Sequence, residues 1–493
     1  MYLLGYDCGT SSIKATLLDA EDGSIVAAAI SPEKEMPIIA REASWAEQNP
    51  LDWWDNFKKA TRKVLAESNV DPADVKAIGI SYQMHGLVLV DKQKQVLRPS
   101  IIWCDSRAVE IGERAFEQIG PDVCLTHLLN SPGNFTASKL KWVKENEPSI
   151  YAKIDKAMLP GDYIAMKMTG QIRTTPSGLS EWILWDFKQQ KQADIVLDCY
   201  GIDKELLPEV VPTFSIQGEL TSLVADELGL KAGTVVSYRA GDQPNNALSL
   251  NVLNPGEIAA TAGTSGVVYG IGDAPNYDAK SRVNSFAHVN YTKEDLKLGV
   301  LLCINGTGSL NSWLKHTVAN GQDYPQMNEL ASQAPIGSDG LCILPFGNGA
   351  ERILGNKDIG ASIHGLNFNT HQKAHLLRAS QEGIVFALNY GLQIMRQLGI
   401  LTDTVKTGAA NMFLSPVFRE AFATTTDSVV QLYNTDGSAG AARGAGIGAG
   451  IYKDFKEAFV GLKCIQTVEP LDKHKQRYQQ AYQSWLEILN KQL

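Results

Sequence analysis

The sequence predicts an α/β protein built from two related domains. The chain has 493 residues, too many for one ordinary domain, and strand and helix segments follow one another from end to end. A strand, a Gly-Thr-Ser turn and a second strand open the chain at Gly9-Thr10-Ser11. The same succession returns at Gly263-Thr264-Ser265, about half the chain later. An echo at that distance suggests two domains, each opening on a hairpin able to hold a phosphate.

Composition narrows the class. Hydrophobic residues make up 44% and charged residues 20%, as in a soluble globular protein with ample core. A net charge of −9 argues against non-specific nucleic-acid binding, which needs a basic face. The seven cysteines are scattered, odd in number and include no C-x-x-C pair, which fits a reducing compartment better than a disulfide framework or zinc site. The first residues form a strand pattern with no basic n-region or apolar h-region, and no apolar run is long enough to cross a membrane. The expectation is a cytoplasmic protein with no membrane and no nucleic-acid partner.

Residues 3–6 read as a strand, Asp7-Cys8-Gly9-Thr10-Ser11-Ser12 as a turn and residues 13–18 as the returning strand. Small residues let backbone N–H groups approach an anion, while hydroxyls and the Lys14 ammonium add donors. The same pattern is also an ordinary hairpin turn. Residues 24–30 continue as a strand. Asn49 can cap a helix with Pro50 in its first position, and Trp53, Trp54, Phe57, Ala60 and Val64 recur at helical spacing as core. Residues 75–81 are a strand ending in Gln83-Met84-His85-Gly86. A further strand follows at 87–90, a short one at 101–103 and a helix at 110–119. Residues 234–239 form a strand before Gly241-Asp242-Gln243.

In the second half, strands are expected around Gly263-Thr264-Ser265 and at 298–304. Gly306-Thr307-Gly308 then makes a turn before a helix from Leu310. A long helix spans 371–398, and a strand at 404–407 leads into Gly408-Ala409-Ala410-Asn411. The alanine- and glycine-rich run from Gly437 has no proline and reads as a tightly packed helix rather than a linker. Tyr478, Tyr482, Trp485 and Leu489 recur on one face of a closing amphipathic helix.

Several chemistries are excluded. There is no Walker A loop, no G-x-G-x-x-G, no H-E-x-x-H and no G-x-S-x-G. A nucleotide, if bound, is held by the two Gly-Thr-Ser loops. That arrangement suits phosphoryl transfer, which needs positioning, charge neutralisation and a base near the acceptor hydroxyl. Asp242 is the candidate base, following a strand at the junction of the halves; a plain Gly-Asp turn is the alternative. Asp7 can hold Mg²⁺ through water or serve as a turn carboxylate. His85 lies just past a strand end, where sites form in α/β sheets, or packs as an ordinary histidine. Asp105 and Arg107 can bind a polyol, but capping of the following helix is the expectation for Asp105.

Together these residues resemble the FGGY family of carbohydrate kinases over residues 1–453. The resemblance rests on the opening Asp7 to Lys14, on the stretch from Gly79 to Gly86 and on Trp45-Ala46-Glu47-Gln48-Asn49-Pro50. It also rests on Ile102-Trp103-Cys104-Asp105-Ser106-Arg107, Gly241-Asp242-Gln243, Gly263-Thr264-Ser265-Gly266 and the small-residue helix near Gly437. It implies two ribonuclease-H-like domains of the actin–hexokinase type with a cleft between them. Residues 1–248 would bind sugar, 249–453 nucleotide, and 454–493 would form a helical extension, with the crossing between domains near residues 243–255.

The resemblance further implies ATP and Mg²⁺, with Asp242 as base on the sugar's terminal hydroxyl. Met84 and His85 would contact the ketose, beside Gln83 and Trp103. Asp7 would be the metal-side carboxylate, and Thr10, Ser11, Ser12 and Lys14 the first phosphate loop. Thr264 would belong to the second loop, Gly308 would approach the nucleotide, and Gly408 and Asn411 would border the adenine. The implied reaction is ketose phosphorylation, foremost D-xylulose to D-xylulose 5-phosphate in xylose metabolism. Sedoheptulose, ribulose and glycerol are the alternative acceptors, and a homodimer is left open.

The chain departs from the family pattern in two places. The adenine-side loop has the single Gly408 where such kinases carry a run of glycines, and Gln243 stands where asparagine is common. Two readings of another class compete: an actin-like nucleotide-dependent binding module, and a sugar-binding regulator without catalysis. Gln83-Met84-His85-Gly86 beside Gly241-Asp242 speaks against the first, and the intact Asp7, Asp242 and Thr264 speak against the second.

Overall fold

The computed structural model describes residues 1–493. It divides into two compact units. The first comprises Met1–Asn251, Phe286–Leu298 and Thr435–Leu462; the second comprises Val252–Ser285, Gly299–Asn434 and Lys463–Leu493. Packing thus groups Thr435–Leu462 with the N-terminal residues, whereas the division expected from sequence kept 249–453 together.

The reason lies in the small-residue helix Gly437–Gly448. A side chain on Gly5 would collide with the main-chain oxygen of Ser438, and one on Gly79 with that of Ala441. Only glycine on those strands lets the helix lie so close. The Thr16 and Ser438 hydroxyls bond at 2.7 Å, and Ser237 Oγ donates to the Ala445 carbonyl at 2.8 Å.

The first unit's sheet has six strands. Tyr2–Cys8 pairs antiparallel with Ile13–Asp19, which pairs antiparallel with Ile25–Ser31. On its other side Val75–Tyr82 and then Val235–Gly241 run parallel, and Phe214–Glu219 closes the edge antiparallel. The parallel strands are buried along almost their whole length, as sheets covered on both faces require. Helix Pro50–Ser68 covers the sheet. Asn49 caps it by accepting the Leu51 N–H at 3.2 Å, and Trp53, Trp54, Phe57, Ala60 and Val64 are all buried. The Tyr6 ring stacks 3.8 Å from Phe57 and its hydroxyl lies 2.7 Å from Thr61 Oγ1. Burying each of the large side chains contributes roughly 1.5–3 kcal/mol.

The second sheet has the order Asn284–Ala287, Leu298–Ile304, Gly266–Gly272, Ile258–Ala262, Thr404–Gly408, Val429–Tyr433, Cys464–Val468. Ile258–Ala262 and Gly266–Gly272 form an antiparallel hairpin, two parallel strands follow, and an antiparallel strand closes. This repeats the first sheet's succession, so the echo at Gly-Thr-Ser is an echo of topology. The core gathers helix Lys373–Gln397 and helix Asp472–Gln492, through Phe386, Leu392, Tyr478, Tyr482 and Trp485. The helix expected from Leu310 begins at Gly308, and the short strand expected at 101–103 is Ser100–Ile101.

Candidate active site

In the first unit, three neighbouring strands end side by side. Register places Asp7 opposite Lys14 and Ser81, and Ser81 opposite Ala240. Asp242 follows as the first residue of helix Asp242–Ser249, with Gly241 as its N-cap. Asp7 Oδ1 accepts the Ser81 hydroxyl at 3.1 Å. Its other oxygen lies against helix Gly437–Gly448, where a Cβ on Gly437 would come within 2.6 Å of it. Asn245 Nδ2 donates to the Gly437 carbonyl at 2.8 Å. Burial pushes the Asp242 carboxyl up to about 7, and the nearby Asp7 adds to the rise. Burial raises Asp7 as well, against the pull of Ser81, and Asp436 raises it further. Like charges in a desolvated site favour protonation of one member.

Lys14 holds its ammonium 2.5 Å from Asp436 Oδ2. Asp436 also caps helix Gly437–Gly448, accepting the Ala439 N–H at 3.1 Å and the Ser438 hydroxyl at 2.7 Å. Thr10 is drawn into a polar network. It accepts the Trp103 indole N–H at 2.9 Å and donates to Gln83 Oε1 at 3.1 Å, while its carbonyl accepts Gln48 Nε2 at 2.7 Å. Gln48 Oε1 receives both Gln83 Nε2 and the Trp53 indole, each at 3.1 Å. Ser11 and Ser12 shape the turn through their carbonyls, which accept the Met36 N–H at 2.8 Å and the Gly9 N–H at 3.1 Å. The structure therefore joins Thr10 of the opening turn to Gln83 and Trp103.

His85 adopts φ +60°, a left-handed backbone uncommon outside glycine. Its Nδ1 lies 3.0 Å from the main-chain oxygen of Glu181. A carbonyl only accepts, so Nδ1 carries the proton, and in the neutral ring Nε2 is an acceptor. Phe135 and Phe286 flank the ring at 4.8 and 5.5 Å. Lys139 is fully buried and donates to the carbonyls of His85 and Ile102 at 2.8 and 2.9 Å. Burial pushes its ammonium down to about 8.

Asp105 does not cap the following helix. Helix Val109–Ile119 has Ala108 at its N-cap and no side-chain cap. Instead Asp105 accepts the Ala46 N–H at 2.6 Å and pairs with the Arg107 guanidinium at 2.6 Å. Arg107 also reaches Glu47 at 2.8 Å and stacks 3.8 Å from the Trp45 ring. A buried guanidinium needs counter-charge, and that demand outweighs a cap.

In the second unit, Gly308 N donates to the Gly263 carbonyl at 2.9 Å and Ser309 N to the Thr264 carbonyl at 3.2 Å. A Cβ on Gly308 would run into the Gly263 carbonyl, and one on Gly263 would lie 3.4 Å from Asn411 Nδ2. Thr264, Gly308 and Asn411 are thus brought together. Gly408 joins them through the short turn in which Ala410 N donates to its carbonyl at 2.8 Å. Buried Glu351 braces the same loop. It accepts the Asn305 N–H at 2.9 Å, and burial pushes it up to about 7 against its bonds to Asn305 and Gly306. A cavity of about 320 Å³ adjoins the loop, lined by Gly306, Ser309, Trp313, Pro345 and Ile363 among others.

Glu181, Lys139, Glu351 and the two phenylalanines were not legible as site residues. The signal for the first two is a charge amid apolar neighbours: Glu181 precedes Trp182-Ile183-Leu184-Trp185, and Lys139 precedes Leu140.

The family models that match this chain define a class of sugar-phosphorylating enzymes. The chain belongs to the FGGY family of carbohydrate kinases: the family's N-terminal domain matches residues 2–249 and its C-terminal domain residues 258–451. It is 32% identical to the xylulose kinase of Bacillus subtilis (strain 168) over 467 residues, covering 92% of this chain and 90% of that protein. It is 29% identical to the xylulose kinase of Escherichia coli (strain K12) over 450 residues, 90% of this chain and 88% of that one. A crystal structure of a xyloylose kinase from Brucella ovis superposes with a TM-score of 0.89 at 26% identity, covering 100% of this chain and 99% of that one. No helix is long and apolar enough to cross a membrane.

Proposed function

We propose that this carbohydrate kinase transfers the γ-phosphoryl group of ATP to the terminal hydroxyl of a ketose, D-xylulose, giving D-xylulose 5-phosphate and ADP. The observation that carries the reading is the placing of Asp242, raised to about 7, in the same unit as the Met84–His85 turn. A base with such a value balances its ionised fraction at neutral pH against its strength toward a hydroxyl proton.

Asp242 takes the proton of the terminal hydroxyl as the oxygen bonds to the γ-phosphorus and the bond to the leaving ADP oxygen breaks. His85, its Nδ1 proton held by the Glu181 carbonyl, accepts a hydrogen bond from a sugar hydroxyl through Nε2. Met84, Gln83 and Trp103 border the ketose. Thr10, Ser11, Ser12 and Lys14 serve the phosphates from the first unit. Thr264, Gly308, Gly408 and Asn411 serve the nucleotide from the second, within residues 249–453.

Asp7 fits a Mg²⁺ site, because a carboxyl raised by burial gains from a nearby cation. Mg²⁺ keeps several waters and is commonly held by one or two carboxylates together with phosphate oxygens. Asp7 would hold it through water, and when bound it neutralises phosphate charge. The relatives bearing the name xylulose kinase support the choice of ketose.

The test is coupled ADP release across a panel of ketoses, polyols and aldonates. D-xylulose should give the highest kcat/KM. A higher value for sedoheptulose, ribulose or glycerol would overturn the substrate, and the absence of any sugar-stimulated release would overturn the reaction.

A further inference from the structure

Glu181 ends the short helix Pro176–Glu181, and its side chain is buried to 1% exposure. Two separate parts of it reach two separate motifs. Its carbonyl holds His85 Nδ1 at 3.0 Å. Its carboxyl lies against Gly241, where a Cβ would meet Glu181 Oε2 at 2.8 Å and Met84 Cγ at 2.6 Å. Gly241, Met84 and the Glu181 carboxyl therefore fill one space, and glycine is needed at 241 because the other two occupy it.

Several titratable groups face this carboxyl. Tyr82 comes from the strand before the Gln83-Met84-His85-Gly86 turn, Asp162 from helix Pro160–Thr169, Lys139 from helix Thr136–Asn146, and Asp242 from the residue after Gly241. Arg239 lies in the next strand but reaches toward Asp162, at 3.5 Å, and Lys139 spends its bonds on main-chain carbonyls. No cation sits on either carboxyl oxygen, and the Tyr82 hydroxyl is the hydrogen-bonding group beside it. One neutral hydroxyl does not offset the cost of keeping a carboxylate ionised in such a place. Burial, with Asp242 and Asp162 adding to it, holds Glu181 well above the usual carboxylate range.

We propose that Glu181 is a positioning residue for the acceptor side of the reaction: as an uncharged wedge it fixes Met84 against Gly241 and so sets the distance between the ketose-binding turn and Asp242. The proposal rests on the kinase reading above and adds to it a residue that touches neither phosphate nor metal. An uncharged carboxyl also leaves Asp242 as the group that carries negative charge on this side of the site. Were Glu181 ionised, its charge would make Asp242 a poorer anion and move its titration upward.

The experiment compares E181A and E181Q with the wild-type enzyme, measuring kcat and KM for D-xylulose and for ATP between pH 5.5 and about 9. Thermal melting of each variant checks that it is folded. E181A should raise the ketose KM by about tenfold, lower kcat by less and leave the ATP KM in place. E181Q, uncharged and of the same shape, should restore the ketose KM to within about threefold of wild type and keep the acid limb where it is. An E181A enzyme with an unchanged ketose KM overturns the positioning role. An acid limb moved down by about one pH unit in E181Q shows that Glu181 was ionised and overturns the uncharged wedge. If E181A does not fold, E181Q decides alone, since loss of ketose binding in that isostere also overturns the proposal. A wild-type enzyme inactive on every acceptor would instead overturn the kinase reading itself.

Discussion

Trp103 donates its indole N–H to the hydroxyl of Thr10 over 2.9 Å, so the turn proposed to serve phosphates is pinned by a residue proposed to border the sugar. The same hydroxyl then donates to Gln83. Trp103 is 42% exposed, so its ring contributes little to the core. The W103F enzyme should fold normally and show a ketose KM raised about three- to tenfold, the worth of one lost hydrogen bond. Steady-state kinetics with D-xylulose measure it, and an unchanged KM removes Trp103 from the acceptor site.

Asp242 should give a pH profile with a recognisable limb. A base titrating at about 7 is protonated below that value, so kcat/KM should fall about tenfold per unit of pH on the acid side. Because Asp7 interacts with it, the limb reports the pair. A limb near 4 would mean that the buried carboxyl is not the base.

D242N should lower turnover by about 10²- to 10⁴-fold and yet stabilise the protein. A carboxyl whose folded value lies above its unfolded one gives stability that is full below the unfolded value and lost as pH rises through the folded value. With the unfolded value near 4 and the folded one near 7, wild type carries its largest penalty above pH 7. The gain in Tm on substitution should therefore be greater at pH 8 than at pH 5. Equal gains at both would show that the group is not raised.

Lys14 pairs with Asp436 at 2.5 Å with both side chains about one-third exposed, at 31% and 34%. Losing such a pair costs at most about 1 kcal/mol. K14M should consequently stay folded, with the ATP KM raised about tenfold and the ketose KM changed much less. An unaltered ATP KM would assign Lys14 to structure alone.

Gly79 faces the main-chain oxygen of Ala441 in helix Gly437–Gly448. G79A should destabilise the first unit by about 1–3 kcal/mol, because neither backbone can move aside without disturbing the strand register. Urea unfolding followed by fluorescence measures the loss. A neutral G79A would mean that the helix tolerates displacement.

Much of this protein was written in its sequence. Apolar spacing in Trp53, Trp54, Phe57 and Val64, the Asn49-Pro50 start, the two Gly-Thr-Ser turns and the glycine- and alanine-rich run from Gly437 are local signals, and the elements formed where they pointed. Asp105 defeated the local signal, because a helix cap is chosen by neighbours in sequence whereas the Ala46 N–H, distant along the chain, and the buried Arg107 guanidinium, itself held by Glu47 and Trp45, take its carboxylate. The same holds for Glu181 and Lys139, which carry no motif and gain their roles from burial beside Gly241, Met84 and His85. The sequence by itself determined the class of fold and the family. Only the tertiary structure decided which unit holds helix Gly437–Gly448, which tautomer His85 adopts and how far Asp242 is raised. Close approach, hydrogen-bond direction and desolvation arise only between residues distant along the chain.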